Sequence, residues 1–141
     1  MPYGYGQGQT TPVELDQIFK YTDRVVLRSV TIDAVTEDAS NADDPKYLRY
    51  GFMLGRITPA AATDPVKYRE YTAALVAGST IDGPEKAVIL VNNVQMDGVQ
   101  DIMSSVAIEG DPYRSRLIFA APTDAATFDF DSTNFNPEIA Y

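Results

Sequence analysis

Apolar residues recur along this chain in short runs broken by turn residues, and the spacing within the runs changes from one segment to the next. Leu15, Ile18 and Phe19 stand at i, i+3 and i+4, which places them on one helix face. Thr11 can cap that helix, Pro12 suits its first position, and Glu14 lies three residues after the cap, as in a capping box. The pattern predicts a short helix over residues 11–21. Two turns are marginal in isolation, so the apolar face must dock, on the chain's own core or on a neighbouring subunit.

Over residues 24–36 the period shortens to two. Val30, Ile32 and Ala34 alternate with Ser29, Thr31 and Asp33, as in a half-buried strand. Leu48, Tyr50 and Phe52 alternate again, Met53 and Leu54 enter the core, and Gly55 marks a turn or a close backbone approach. Residues 66–75 are ambiguous, since Tyr68, Tyr71 and Leu75 suit a helix while residues 67–71 suit a surface strand. Residues 87–91 form an unbroken β-branched and apolar run, expected of a strand covered on both faces. Val99, Ile102 and Met103 allow one helical turn, and residues 104–109 alternate with Val106 and Ile108 on one face. Residues 113–119 read as a last strand on which Arg114 and Arg116 share a face, either solvated or able to hold an anion. Beyond Ala120, Phe128 and Phe130 alternate with Asp129 and Asp131, and Phe135, Ile139 and Tyr141 follow. That stretch reads as an extended segment lying on a surface, its own or a neighbour's.

Turn signals punctuate these runs, and most of the nine prolines fall between them. Short strands are therefore favoured over long helices, and the expected class is mainly β with short helices (α+β). The domain plan is an arm and short helix (1–22), a β-rich domain (23–120) and an extended C-terminal tail (121–141). Residues 1–10 carry three Gly, two Tyr and two Gln without apolar periodicity. Glycine makes such an arm costly to order, so it is expected to be mobile until held. Tyr3 and Tyr5 would point the same way if the arm were added to a sheet edge.

Composition narrows the function. The chain has neither Cys nor His, so the commonest general base, thiolate chemistry and the usual transition-metal ligands are all missing. No Ser-His-Asp set, Gly-rich phosphate loop or convincing carboxylate pair is present, and no cofactor or enzymatic activity is expected. With 11 basic against 20 acidic residues the net charge is −9, which disfavours direct nucleic-acid binding and favours solubility. No apolar run approaches a membrane span, and residues 1–20 lack the features of a signal peptide, so synthesis in the cytosol is expected. Asp38, Asn41, Asp43 and Asp44 invite a calcium reading, but their spacing departs from the EF-hand and the sharp-turn glycine is absent.

The central stretch carries a family resemblance. Met53-Leu54-Gly55-Arg56-Ile57-Thr58, Lys67-Tyr68 with Tyr71, Gly78-Ser79, Ala87-Val88-Ile89-Leu90 and Asn92-Asn93-Val94 follow one another in the order seen in lambda-type phage head decoration proteins. Residues 106–110 resemble that family's following strand. The likeness spans roughly residues 49–110. It departs from the family in lacking a proline within the tyrosine pair, in a long loop over 58–67, and in larger terminal extensions. The resemblance implies a β-clip or β-tulip domain that trimerises at three-fold and quasi-three-fold sites of the expanded capsid and clamps major capsid subunits from the outer surface. It also implies that the N-terminal arm makes the capsid contact, which here would fall on Tyr3, Tyr5, Gln7, Gln9, Thr10 and Val13. The alternatives are another virion part such as a head spike or tail protein, a carboxylate hydrolase, and a calcium-dependent carbohydrate-binding module.

Overall fold

A computed structural model describes residues 12–137 of the chain. Tyr3, Tyr5, Gln7, Gln9 and Thr10, the Thr11 cap, Ile139 and Tyr141 lie outside the described residues, as does the side chain of Val13. The fold is mainly β, with two short helices and a closed five-stranded barrel.

The first helix, α1 (Pro12–Ile18), turns Leu15 and Ile18 inward, and Phe19 just beyond it is also buried. Its apolar face docks on the chain's own core. Strand β1 (Val26–Ile32) follows, then the two-residue β2 (Tyr47–Leu48), β3 (Met53–Arg56) and β4 (Tyr68–Glu70). The ambiguous stretch around residue 70 holds both elements in turn, because β4 ends at Glu70 and helix α2 (Ala73–Ala77) begins after Thr72, whose Oγ1 accepts from Leu75 N–H at 3.1 Å. Strands β5 (Val88–Leu90), β6 (Val94–Gln95) and β7 (Ile102–Glu109) complete the set, with β2 and β6 paired apart from the barrel.

Around the barrel the order is β1-β4-β3-β5-β7, and β7 pairs back onto β1. All neighbours are antiparallel except β1 and β4, which meet through a single parallel bridge between Ile32 and Tyr68. That seam is reinforced. Asp33 N–H donates to Tyr68 O at 2.8 Å, Ala34 N–H donates to Asp101 Oδ1 at 2.9 Å, and Lys67 Nζ lies 2.8 Å from Asp101 and 4.0 Å from Asp33.

The alternation of the strands builds two apolar layers. Val30, Ile32, Leu54, Tyr68, Val88, Leu90 and Val106, drawn from all five barrel strands, cluster together and fill the interior. Met53, Ile89 and Ala107 belong to a second cluster that includes Leu15, Ile18, Phe19, Phe119, Phe128, Phe130 and Phe135. The unbroken apolar run of β5 thus serves both layers, as expected of a strand covered on both faces. Gly55 is not a turn; it sits within β3, and a Cβ there would lie 2.6 Å from Ile81 Cδ1.

Three sequence expectations are corrected. The helical turn proposed around Val99–Met103 is absent: Val99 is 80% exposed in a loop, and Ile102 already begins β7, where Val30, Thr31 and Ile32 of β1 pair with Ser104, Met103 and Ile102. The strand expected over 113–119 is instead a 3-10 turn, Arg114–Arg116, so the two arginines do not share a strand face. The segment after Ala120, expected to lie extended along a surface, its own or a neighbour's, packs on its own chain and is not extended throughout. It carries 3-10 turns at Pro122–Ala126 and Phe130–Ser132, and buries Phe128, Phe130 and Phe135 in the outer apolar layer.

Candidate binding surface

The root of the expected arm is the part of that site the structure describes. Lys20 N–H donates to Asp111 O at 3.0 Å and Tyr113 N–H donates to Ile18 O at 2.8 Å, while Phe19 bridges Pro112. Main-chain bonds and the buried face of Leu15, Ile18 and Phe19 therefore fix α1 against the turn at residues 110–113. Of the six residues expected to contact a capsid, only the backbone of Val13 is described, within α1.

The acidic loop at residues 37–44 is organised around an ion pair. Asp38 is fully buried; it accepts from Ser40 N–H at 3.0 Å, Ser40 Oγ at 2.5 Å and Arg49 Nη2 at 2.9 Å. Asn41 Nδ2 donates to Tyr47 O, and Asp44 accepts from Lys46 N–H. These groups bond to the loop's own backbone and to Arg49 Nη2, and among the described residues no group of three or more acidic side chains is arranged to hold a metal ion.

Arg49 leads to a second place of interest. Beside it the chain passes through Gly51 at φ +95°, where a Cβ would stand 2.5 Å from Arg116 O. Met53 N–H donates to Ile118 O and Ile118 N–H to Gly51 O, both at 2.9 Å, so residues 51–53 and 116–118 run side by side. Tyr50 N–H is held by Asn93 Oδ1 at 2.9 Å. The result is an open cleft of about 360 Å³ lined by Tyr47, Arg49 and Tyr50, by Ser115, Arg116 and Ile118, and by Gln17 of α1 and Asn93. Among the described residues no carboxylate lines it. Arg114 is directed elsewhere, its guanidinium 4.7 Å from the Phe130 ring centroid. The sequence singles out Arg116 but pairs it with Arg114, whereas the fold brings it to Arg49. The signal available was Gly51, two residues after Arg49, a glycine marking a close backbone approach.

Carboxylates with lowered pKa have structural partners. For Asp82, burial alone would raise the pKa, but hydrogen bonds from Thr58 Oγ1 (2.7 Å) and Arg56 Nε (2.6 Å), with the charges of Arg56 and Lys86, bring it below the ordinary carboxylate value. Asp101 is lowered chiefly by its hydrogen bond from Lys67 and then by Ala34 N–H. Neither is poised as an acid or base, because each is held in its ionised form by a cation. A further surface feature lies on β1 and β7, where Leu27 and Met103 are exposed, with Val35 and Val66 exposed in adjoining loops. No family model, curated protein or solved structure matches the chain.

Proposed function

We propose that this protein is a binding module that decorates the expanded head of a tailed phage, clamping neighbouring major capsid subunits as a trimer. The supporting observation is spatial. The segments that resemble the decoration family (residues 53–58, 67–71, 87–90 and 106–110) occupy β3, β4, β5 and β7, which are consecutive neighbours in one barrel. The resemblance therefore concerns a continuous body rather than scattered loops. A β-clip or β-tulip description of that body belongs to the same proposal.

In this reading the barrel is the rigid bead, and α1 anchors the root of an arm that carries Tyr3, Tyr5, Gln7, Gln9, Thr10 and Val13. The arm adds a strand to a capsid sheet edge, with main-chain hydrogen bonds supplying affinity and the tyrosines supplying register. Ordering a glycine-rich arm opposes binding, and linkage of three copies offsets that cost through effective concentration. The exposed Leu27 and Met103 give neighbouring subunits an uncharged strip in an otherwise acidic molecule. No cofactor enters.

The test is co-sedimentation of the full chain and of a chain lacking residues 1–10 with expanded, undecorated phage heads, followed by imaging of the decorated shell. The full chain should saturate three-fold positions, and the shortened chain should keep its fold and oligomeric state while losing occupancy. Equal occupancy by the two would remove the arm's role. Failure of the full chain to bind any expanded head would remove the reading itself.

A further inference from the structure

We infer that the open edge of β1 at Leu27 and Ser29 is a docking site for one extended strand of a partner protein, a strand with an acidic side chain facing Arg28 and apolar side chains flanking it. The inference does not depend on the head-decoration reading.

The main chain supplies the first argument. Ser29 pairs with Ser105 of β7, but Ser105 O accepts from Val91 N–H at 3.3 Å on the other side, so Ser29 and Ser105 form a pair that exchanges no main-chain bonds. By alternation the N–H and C=O groups of Ser29 and Leu27 point away from β7, to the side on which Asp33 N–H meets Tyr68 O. There β1 touches β4 only through the bridge of Ile32 with Tyr68, and among the described residues no strand pairs with Leu27 or Ser29. Both residues are exposed. Unpaired main-chain groups along a strand are a template for an added strand.

Side chains select the occupant. Arg28 shares a face of β1 with Val30 and Ile32 of the barrel's interior cluster, but it lies at the open end and is exposed. With Tyr68 it lines two open cavities of about 150 and 160 Å³. Its guanidinium has no hydrogen bond or ion pair among the described residues. Glu85 lines the larger cavity but folds its carboxylate over Gly83, where an added Cβ would lie 2.6 Å from Glu85 Oε1. An acid on the added strand therefore supplies the charge complement that Arg28 lacks. On the other face, Thr31 pairs with Met103, and Val66 lines a cavity with both. Leu27, Met103 and Val66 are exposed and suit apolar residues before and after the acid. Strands of the chain itself fit less well: residues 1–11 contain no acid, and β1 of a second copy would bring its own Arg28 to the edge. A net charge of −9 favours one acid over a run of them.

The experiment follows chemical shifts and amide exchange of the isotopically labelled full chain by NMR during titration with acetyl-Thr-Val-Asp-Val-Thr-amide. A parallel titration uses the same peptide with Lys in place of Asp. The Asp peptide should give saturable shifts at Leu27 and Ser29 and slow the exchange of their amides, with affinity about fivefold or more above that of the Lys peptide. Ser29→Pro removes an edge N–H that the pairing with β7 does not use, and it should abolish the response. Arg28→Gln should retain weak binding but lose the preference for Asp, which keeps the test valid if Ser29→Pro disturbs the fold. Equal response to the two peptides, no response at these amides, or an Arg28→Gln chain that still prefers Asp would each overturn the assignment. So would Leu27 and Ser29 amides that are protected without peptide and released by dilution or by deletion of residues 1–11 or 138–141, because the chain would then cover its own edge.

Discussion

Gly51 concentrates the residue-scale constraints of this protein. Its φ of +95° disfavours an L side chain, and a Cβ at this position would collide with a backbone carbonyl that cannot swing away. Gly51→Ala should therefore lower stability by about 1–3 kcal/mol, read from urea unfolding with the slope unchanged. Gly78 is the control. It caps α2 at an ordinary φ of −83°, and its nearest neighbour to an added Cβ is 3.5 Å away. Gly78→Ala should leave stability within about 0.5 kcal/mol, and equal losses at the two positions would refute the close-approach account. Gly55 is legible in the sequence as a marker of either a turn or close packing, and packing against Ile81 decides between them. The ion pair of Asp38 and Arg49 is not legible there. An Asp among other loop acids gives no sign that it alone will be buried.

At the scale of elements, the 3.6-residue spacing of Leu15, Ile18 and Phe19 and the continuous run at 87–91 translate directly into structure, because each pattern has one economical way to be buried. Patterns short enough to fit two periods mislead. Val99, Ile102 and Met103 satisfy a helical turn locally, but β1 offers Ile102 and Met103 a ladder of hydrogen bonds, and Val99 is left exposed. Around residue 115 the alternation of Arg114 and Arg116 implies a strand, yet Arg116 N–H bonds to Tyr113 O and Leu117 N–H to Arg114 O, which closes a 3-10 turn and leaves the pairing with residues 51–53 to Ile118. The tail illustrates tertiary override. Its alternating Phe and Asp suggest an extended segment laid along a surface, while the outer layer of the barrel needs a cover. Phe128 meets Tyr71 edge-on at 4.9 Å, Phe130 at 4.8 Å and Phe119 at 5.4 Å. Phe128→Ala should therefore cost about 3–5 kcal/mol, seen as a lower denaturation midpoint in urea. A loss below about 1 kcal/mol would mean that this segment is a detachable appendage.

At the scale of the molecule, titration behaviour follows from composition and ion pairing together. No His occurs in the chain, so no side chain with an ordinary pKa changes charge between about pH 5.5 and 8.5. Asp82, Asp97 and Asp101 have folded pKa values below their unfolded ones, so their stabilisation is present in full above the unfolded value, about 3.9, and is lost as pH falls through the folded values. Lys67 is raised mainly by its hydrogen bond to Asp101, and Tyr71 mainly by burial. Their contributions are present below about pH 10 and fade as pH rises through the raised values. The melting temperature should be flat across the middle of the range and fall on both sides. Asp82→Asn should be less stable than the wild type at neutral pH, with the gap closing below about pH 4; a gap independent of pH would show that Asp82 acts through packing alone. What the sequence by itself determined is local: a helix face set by spacing, a doubly covered strand set by an unbroken apolar run, and a chain without the usual groups for acid–base or thiolate catalysis. Tertiary structure alone decided the closure of the barrel through Ile32 and Tyr68, the use of the tail's phenylalanines as a cover, and the meeting of Arg49 with Arg116 across one cleft. The physical reason is that a residue's periodicity reports which face must be buried, whereas the partner that buries it comes from a distant segment and is selected by the packing of the whole chain.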